Sequence, residues 1–331
     1  MLDRETNKEQ FACRLYDVYC EAVGGKAWDG RPLPSSEEFF YDATKVKQAD
    51  AWRAVAEFAL TGSYKKPKKS SEPSVKVQRY FPEPAYDLTG PTYFVGDVHG
   101  EFARFNNHLA DMERTVDLKP GNLIILGDVG LGFVFKNDDG TKVNTTLQFQ
   151  DLCLDLHKRG WTVYCVRGNH DRPSEWWGSS ESTTPGMPRM LRDNSTITIN
   201  GKLFYVVGGA TSIDKNGRTP GKTWFEGEAL FVPVEAMKDM KGKIYGVLSH
   251  TGPNPPGKEY ATDLPSNILS DLEWERIQLK RLERMQPEKW YFGHFHVGTN
   301  FDVNGIKCNC LDIFEIYEFG AYDEEKINYL T

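Results

Sequence analysis

Short apolar runs that stop at a glycine or a small polar residue, and then present side chains of metal-ligand type, constrain this chain more than any other feature. Tyr93-Phe94-Val95 leads into Gly96-Asp97-Val98-His99-Gly100, Leu123 to Leu126 into Gly127-Asp128, and Val163 to Val166 into Arg167-Gly168-Asn169-His170-Asp171. Leu248 leads into Ser249-His250-Thr251-Gly252, and Phe292 into Gly293-His294-Phe295-His296. Runs this short and continuous read as buried strands. In α/β sheets ligands bind outside the carboxyl ends of strands, so one sheet edge should collect these polar residues. Asp97 with His99, and His294 with His296, are spaced i and i+2, which on leaving an extended strand points both side chains to one side. Glycine before Asp97, Asp128, Asn169 and His294 lets the backbone turn sharply and approach closely.

The rest of the chain divides around these motifs. From Thr92 to about Tyr317 strand and helix alternate, with further apolar runs at Leu203 to Val207 and Ile244 to Leu248, while Asn200-Gly201 and Asn304-Gly305 read as hairpin turns. The pattern predicts parallel units first and antiparallel hairpins later. Before it, Phe11, Leu15, Val18 and Ala22, then Trp52, Val55, Phe58 and Ala59, recur at helical spacing, which predicts a small helical module over residues 1–62. Lys65-Lys66-Pro67-Lys68-Lys69 and the prolines at 73, 82 and 84 make residues 63–90 a basic linker, and residues 91–331 form the main domain.

Charge and cysteine usage exclude other classes. A net charge of −7 opposes a broad attraction to nucleic acid, and a nuclease would need a basic groove beside the site, whereas the dense lysine cluster lies in the linker. No apolar run is long enough to cross a membrane, and the charged N-terminus lacks the apolar stretch of a leader, so the expected location is cytoplasmic. Six dispersed cysteines read as reduced thiols; Cys308 and Cys310 make a weak metal pair without a second pair at finger spacing.

The strand ends offer carboxylate, imidazole and amide ligands and no thiolate, which suits Mn²⁺, Fe or Zn²⁺. Seven such ligands are too many for one tetrahedral ion and suit two. A lone histidine at a strand end is more often a satisfied polar residue than a ligand, but five of the seven histidines fall in these motifs. His108 and His157, in helical stretches without a partner at ligand spacing, are left as surface or packing residues.

In order, these motifs resemble the series GDxHG, GD, GNH(D/E), H and GHxH of the calcineurin-like metallophosphoesterases, over roughly residues 92 to 320. The resemblance implies an α/β fold, a sandwich of two mixed sheets flanked by helices. It also implies that Asp97, His99 and His296 hold one divalent ion, that Asn169, His250 and His294 hold the other, and that Asp128 bridges them. Mn²⁺ is the expected metal, with Fe, Zn²⁺ and Ni²⁺ as alternatives. Two such ions, roughly 3.5 to 4 Å apart, generate a bridging hydroxide for in-line attack on a phosphomonoester or phosphodiester. His170 resembles the remaining catalytic side chain, and Asp171 the acid that orients it, with a plain turn carboxylate as the alternative.

Protein Ser/Thr phosphatases of this superfamily read GDxVDRG at the second motif, where this chain has Gly127-Asp128-Val129-Gly130-Leu131-Gly132 and lacks the arginine. Arg167, which matches the arginine before GNH in that branch, and Arg172 are the candidates for a guanidinium that faces substrate phosphate. The run Gly208 to Asp214 with Trp224, and Ser249-His250-Thr251-Gly252-Pro253, are closer to bacterial and phage metallophosphoesterases of unassigned substrate, and residues 11 to 60 look like a phage-type helical module. Trp176, Trp177 and Trp224 could stack on a ring beside the site, with packing as the simpler reading. The reading is therefore a dinuclear phosphoesterase. A phosphoprotein phosphatase is one alternative; the other is an adaptor whose N-terminal module binds a protein partner beside a vestigial domain.

Overall fold

The computed structural model describes residues 85–136, 140–177, 184–260 and 263–320. The helical module expected over 1–62 and most of the linker expected over 63–90 lie outside them.

Apolar runs become strands whose alternate side chains enter two different cores. Strands β1 (Asp87–Leu88), β2 (Thr92–Val95), β3 (Asn122–Ile125), β4 (Val134–Lys136), β5 (Lys142–Asn144), β6 (Thr162–Cys165) and β7 (Arg189–Met190) form the first half, with helices α1 (Phe102–Thr115), α2 (Thr145–Lys158) and the short α3 (Ser174–Trp177) between them. The second half holds β8 (Ser195–Ile199), β9 (Lys202–Val207), β10 (Gly246–Ser249), β11 (Lys289–Phe292), β12 (Thr299–Val303), β13 (Ile306–Cys310) and β14 (Ile316–Glu318), with α4 (Val234–Met240) and α5 (Ser266–Arg284). A five-stranded sheet runs β14-β2-β3-β6-β7 and a seven-stranded one β1-β8-β9-β10-β11-β13-β12; β4 and β5 make a separate ribbon.

Phe94, Ile124, Leu126, Tyr164 and Val166 from the first sheet meet Phe204, Val206, Leu248 and Tyr291 from the second in one cluster. Their neighbours Tyr93, Val95, Leu123, Ile125 and Val163 face the opposite way, onto Phe102, Phe105 and Leu109 of α1 and Phe149, Leu152 and Leu156 of α2. Tyr205, Val207, Val247, Trp290 and Phe292 likewise face Leu279 and Leu282 of α5. A strand buried on both faces must be apolar at every position, which is why these runs show no alternation. Each fully buried Leu or Phe contributes roughly 1.5–3 kcal/mol of burial. The result is a two-sheet sandwich flanked by helices, as the resemblance implies.

Within the first sheet β2, β3, β6 and β7 are parallel, and β9, β10, β11 and β13 are parallel within the second. The Asn-Gly turns fall where expected. Asn200 (φ 49°) and Gly201 (φ 78°) join antiparallel β8 and β9, and Asn304 (φ 55°) and Gly305 (φ 83°) join β12 and β13, both residues left-handed as this two-residue turn requires. Among the described residues no helix is long and apolar enough to cross a membrane.

Candidate metal centre

Strands β2, β3 and β6 of one sheet and β10 and β11 of the other end around a single cleft of ≈460 Å3, whose lining includes Asp128, Asn169, His170, His294 and His296. Asp97, fully buried, turns Oδ2 to His296 Nε2 at 2.9 Å and His99 Nε2 at 3.4 Å, and the two imidazole nitrogens stand 2.8 Å apart. Asp128 reaches both ways: its Oδ2 is 3.8 Å from His99 Nε2 and its Oδ1 is 3.2 Å from His250 Nε2. His250 Nε2 is also 2.9 Å from Asn169 Oδ1. The ring of His294 packs 5.0 Å from that of His250, and its Nε2 receives the Tyr260 hydroxyl at 3.2 Å.

Backbone shape separates side chains that an extended strand would keep together. His99 (φ 50°), Asp128 (φ 45°), His294 (φ 70°) and His296 (φ 50°) are all left-handed, a conformation that costs a non-glycine residue about 1 kcal/mol or more. Left-handed turns at 294 and 296 send the two imidazoles of the GHxH segment to different partners in one cleft, His296 to Asp97 and His294 to His250. Gly127 (φ 98°) permits the approach of His250, because a Cβ there would lie 2.3 Å from His250 Nδ1. At Gly293 it would lie 2.2 Å from Asp97 Oδ1.

Electrostatics follow from packing carboxylates against imidazoles out of water. Burial alone would raise the Asp97 carboxyl, but His296 and His99 overcome this and hold it down at about 2; Asp128 is held lower still by His250. Burial alone would lower His250, yet the Asp128 and Asp97 carboxylates and the Leu126 carbonyl bring it up to about 9. His294 is pushed down to about 3 by burial and by His250.

The donor set suits divalent cations. His250 Nδ1 lies 2.9 Å from the Leu126 carbonyl, so Nδ1 is an N–H, and Nε2, once its own proton is displaced, is a lone pair aimed toward two oxygens, Asp128 Oδ1 and Asn169 Oδ1. Without that proton, three acceptor atoms converge in a buried place and need a cation between them. Asp97, His99 and His296 form a second convergent group, and His99, Asp128 and His170 a third that shares Asp128.

Three expected residues make other contacts in this structure. Arg167 is buried and does not face the cleft: its Nε donates to Asp193 Oδ2 (2.9 Å), and its terminal nitrogens donate to the carbonyls of Gly227 (2.9 Å), Glu228 (3.0 Å), Gly208 (3.3 Å) and Ala229 (3.4 Å). Its donors are thus spent on groups inside the protein. Arg172 lays its guanidinium over the ring of Phe225, 4.7 Å from the centroid. The Asp171 carboxylate accepts from four backbone amides, those of Gly130 (2.7 Å), Gly168 (2.8 Å), Leu131 (3.0 Å) and Val129 (3.3 Å), so it ties two strand-end loops together instead of orienting His170. Trp176 is buried and donates to the Cys165 carbonyl, Trp224 is capped by Lys215, and the Trp177 side chain is outside the described residues. Cys308 and Cys310 are buried thiols whose pKa burial pushes up, unlike metal-binding thiolates.

Residues that the motifs do not contain complete the centre. Arg218 meets the His170 ring, Nη2 lying 2.5 Å from Nε2 and 3.2 Å from Nδ1, and Asp214 holds the guanidinium through Nε and Nη2, both at 2.8 Å. Burial, and after it the Arg218 charge, push His170 down, against the pull of Asp128. Asn169 Nδ2 donates to Ser212 Oγ (3.0 Å), which donates to Glu228 Oε2 (2.6 Å). The Gly208 to Asp214 run was the one signal for this loop; nothing about Arg218 or Glu228 distinguishes them in the sequence.

Residues 90–298 match the model of a family described as calcineurin-like phosphoesterase. Solved structures that are similar include one named as a 5′-nucleotidase from Staphylococcus aureus (14% identity, 69% of this chain and 50% of that one, TM-score 0.36). GAP50, described as the anchor in the inner membrane complex of Plasmodium, is similar at 11% identity, with 67% and 71% covered and a TM-score of 0.36. Phosphopantetheinyl hydrolase from Mycobacterium tuberculosis is similar at 14% identity, with 68% and 90% covered and a TM-score of 0.34. The chain thus spans about half the length of the nucleotidase. No curated protein matches the sequence.

Proposed function

The chain belongs to the calcineurin-like phosphoesterases, and on that premise we propose that it is a dinuclear metal-dependent hydrolase of phosphate esters. The observation that carries this reading is the placement of Asp128, one carboxylate oxygen toward His99 and the Asp97 group, the other toward His250 and Asn169. A single buried carboxylate between two convergent sets of lone pairs is the arrangement that two neighbouring cations require.

Asp97, His99 and His296 would hold one ion, Asn169, His250 and His294 the other, and Asp128 both; the metal we propose is Mn²⁺, with Fe, Zn²⁺ and Ni²⁺ as the alternatives for a set of carboxylate, amide and imidazole donors. When bound, the ions supply Lewis acidity toward the phosphoryl oxygens and lower the pKa of the attacking water. The protein supplies alignment. The His170 backbone N–H donates to Asp128 Oδ1 (2.7 Å) and fixes that carboxylate, while the ring faces the cleft. A ring that accepts from a guanidinium is neutral, so His170 serves as a hydrogen-bonding wall for the phosphoryl group rather than a store of protons. Ile213, Tyr260 and Phe295 give the cleft an apolar side for the organic part of the ester, with Lys258 beside it.

The test is hydrolysis of bis-p-nitrophenyl phosphate and p-nitrophenyl phosphate by metal-stripped protein, with Mn²⁺, Zn²⁺, Mg²⁺, Fe²⁺ or Ni²⁺ restored in turn. Activity that needs metal supports the reading, and the diester to monoester ratio names the substrate class. Two ions bound with no turnover on either ester, while a protein partner is captured by residues 1–62, would favour the adaptor instead.

A further inference from the structure

The Asn169 carboxamide has two ends of almost the same size, and only its oxygen can hold a cation. On the cleft side its neighbours are His250 Nε2 at 2.9 Å and, beside that nitrogen, Asp128 Oδ1. In the metal-free protein the His250 Nε2 proton meets the amide oxygen, but it leaves when an ion takes its place, so the end of the amide that faces the ion has to be set from its other side.

We infer that Ser212 and Glu228 form a positioning pair that aims the Asn169 oxygen into the metal centre. This rests on the reading of Asn169 as a ligand given above. The direction of the hydrogen bonds carries the inference. An ionised carboxylate only accepts, so the Ser212 proton goes to Glu228 Oε2 at 2.6 Å, a length typical of a charge-assisted bond. Ser212 Oγ is then left with lone pairs, one of which accepts from Asn169 Nδ2 at 3.0 Å. The NH2 end is thereby committed away from the cleft, and Oδ1 faces it.

Every member of the chain is buried: Asn169 is 2%, Ser212 4% and Glu228 3% exposed, so water does not compete for these bonds. The pair is also held from outside. Thr211 N donates to Glu275 Oε2 of α5 (2.5 Å) and Ala210 N to the Glu228 carbonyl (3.1 Å), which fixes the backbone beside Ser212. Burial raises the Glu228 carboxyl, and against this Phe225 N donates to Oε1 (2.7 Å) and Arg218 Nη1 lies 3.8 Å from Oε2, both of which favour the charged form. Arg167 grips the carbonyls of Gly227, Glu228 and Ala229, so the arginine next to the GNH motif holds in place the loop that orients the asparagine of that motif. Glu228 is therefore a junction: one oxygen sets Asn169 through Ser212 and stands beside the Arg218 guanidinium that contacts His170.

The experiment is equilibrium binding of Mn²⁺ to the metal-stripped full chain, with no ester present. In the parent two ions bind. Ser212→Ala should weaken one of them roughly 10- to 100-fold, the usual effect of losing an outer partner of a ligand, and leave the other unchanged. Ser212→Thr keeps the hydroxyl and should keep the affinity. Glu228→Gln should shift the same ion in the same direction, because a carboxamide can donate to Ser212 and let the chain of bonds reverse. Thermal melting of each metal-free variant separates this from loss of fold. Ser212→Ala protein that binds both ions as the parent does, or that loses both together with its melting transition, overturns the inference. If the parent binds two ions and hydrolyses no ester, the phosphoesterase reading fails while this inference stands. If the parent binds none, both fall.

Discussion

The Arg218 guanidinium meets the edge of the His170 imidazole, Nη2 2.5 Å from one ring nitrogen and 3.2 Å from the other, while Asp214 grips its far side. A cation in that place favours a neutral ring and fixes its orientation. Arg218→Gln should lower kcat about 10- to 100-fold with both ions retained, and His170→Asn about 100-fold or more. If the arginine acts through the ring, the two losses do not add, so the double variant should be no slower than His170→Asn alone. Steady-state rates on a nitrophenyl ester, with metal content measured on the same samples, make the comparison. Loss of an ion from the His170 variant would show that the ring is a ligand.

Asp128 stands between the two groups of ligands. Asp128→Asn keeps its size and removes the shared charge, so it should cost about 4 kcal/mol of transition-state stabilisation, a fall on the order of 1,000-fold in kcat. Metal analysis should show fewer than two ions bound. A variant with full metal content and parental rates would remove Asp128 from the centre.

Arg167 makes its bonds inside the protein, and its loss should appear in stability more than in substrate affinity. Arg167→Ala takes the charged partner from Asp193 and the donors from the carbonyls of the 227–229 segment, which should cost about 3–5 kcal/mol. Denaturant unfolding of the metal-free protein measures this directly. Parental stability with a raised KM would restore Arg167 as a substrate ligand.

His250 links metal binding to pH. Its folded pKa of about 9 is raised above the usual ~6.5, so in the metal-free protein its contribution to stability is complete below pH ~6.5 and is lost as pH rises through 9. An ion must displace that proton. Mn²⁺ affinity should therefore rise with pH across the same window, by about tenfold per unit if one proton leaves. Calorimetric titrations in buffers of different ionisation enthalpy count the protons released; none released between pH 7 and 9 would contradict the assignment.

Gly127 allows His250 to come close to the β3 end. Gly127→Ala places a Cβ 2.3 Å from His250 Nδ1, in a left-handed conformation that alanine adopts at a cost of about 1 kcal/mol or more. The ring must move, and Mn²⁺ binding should weaken with little change in secondary structure by circular dichroism.

The strand ends and the ligand types they carry were legible in the sequence because each rests on local rules, whereas the two-sheet sandwich followed from the family resemblance. An apolar run of four residues with no alternation is a strand buried on both faces, and whatever follows it emerges at a sheet edge. Asn200-Gly201 and Asn304-Gly305 were legible for the same reason, since a two-residue turn is set by its own backbone. Partner choice was not. Arg167 and Arg218 are both arginines near the site, yet one is consumed by carbonyls 41 to 62 residues away and the other reaches His170 across 48 residues. Asp171, next to His170 in the chain, bonds to a loop 40 to 42 residues earlier instead. Which donor meets which acceptor depends on where loops cross after the sheets have packed, and hydrogen bonds act over about 3 Å of space regardless of distance along the chain. The sequence by itself determined which chemistry gathers at the sheet edge; the tertiary structure decided which residues aim it.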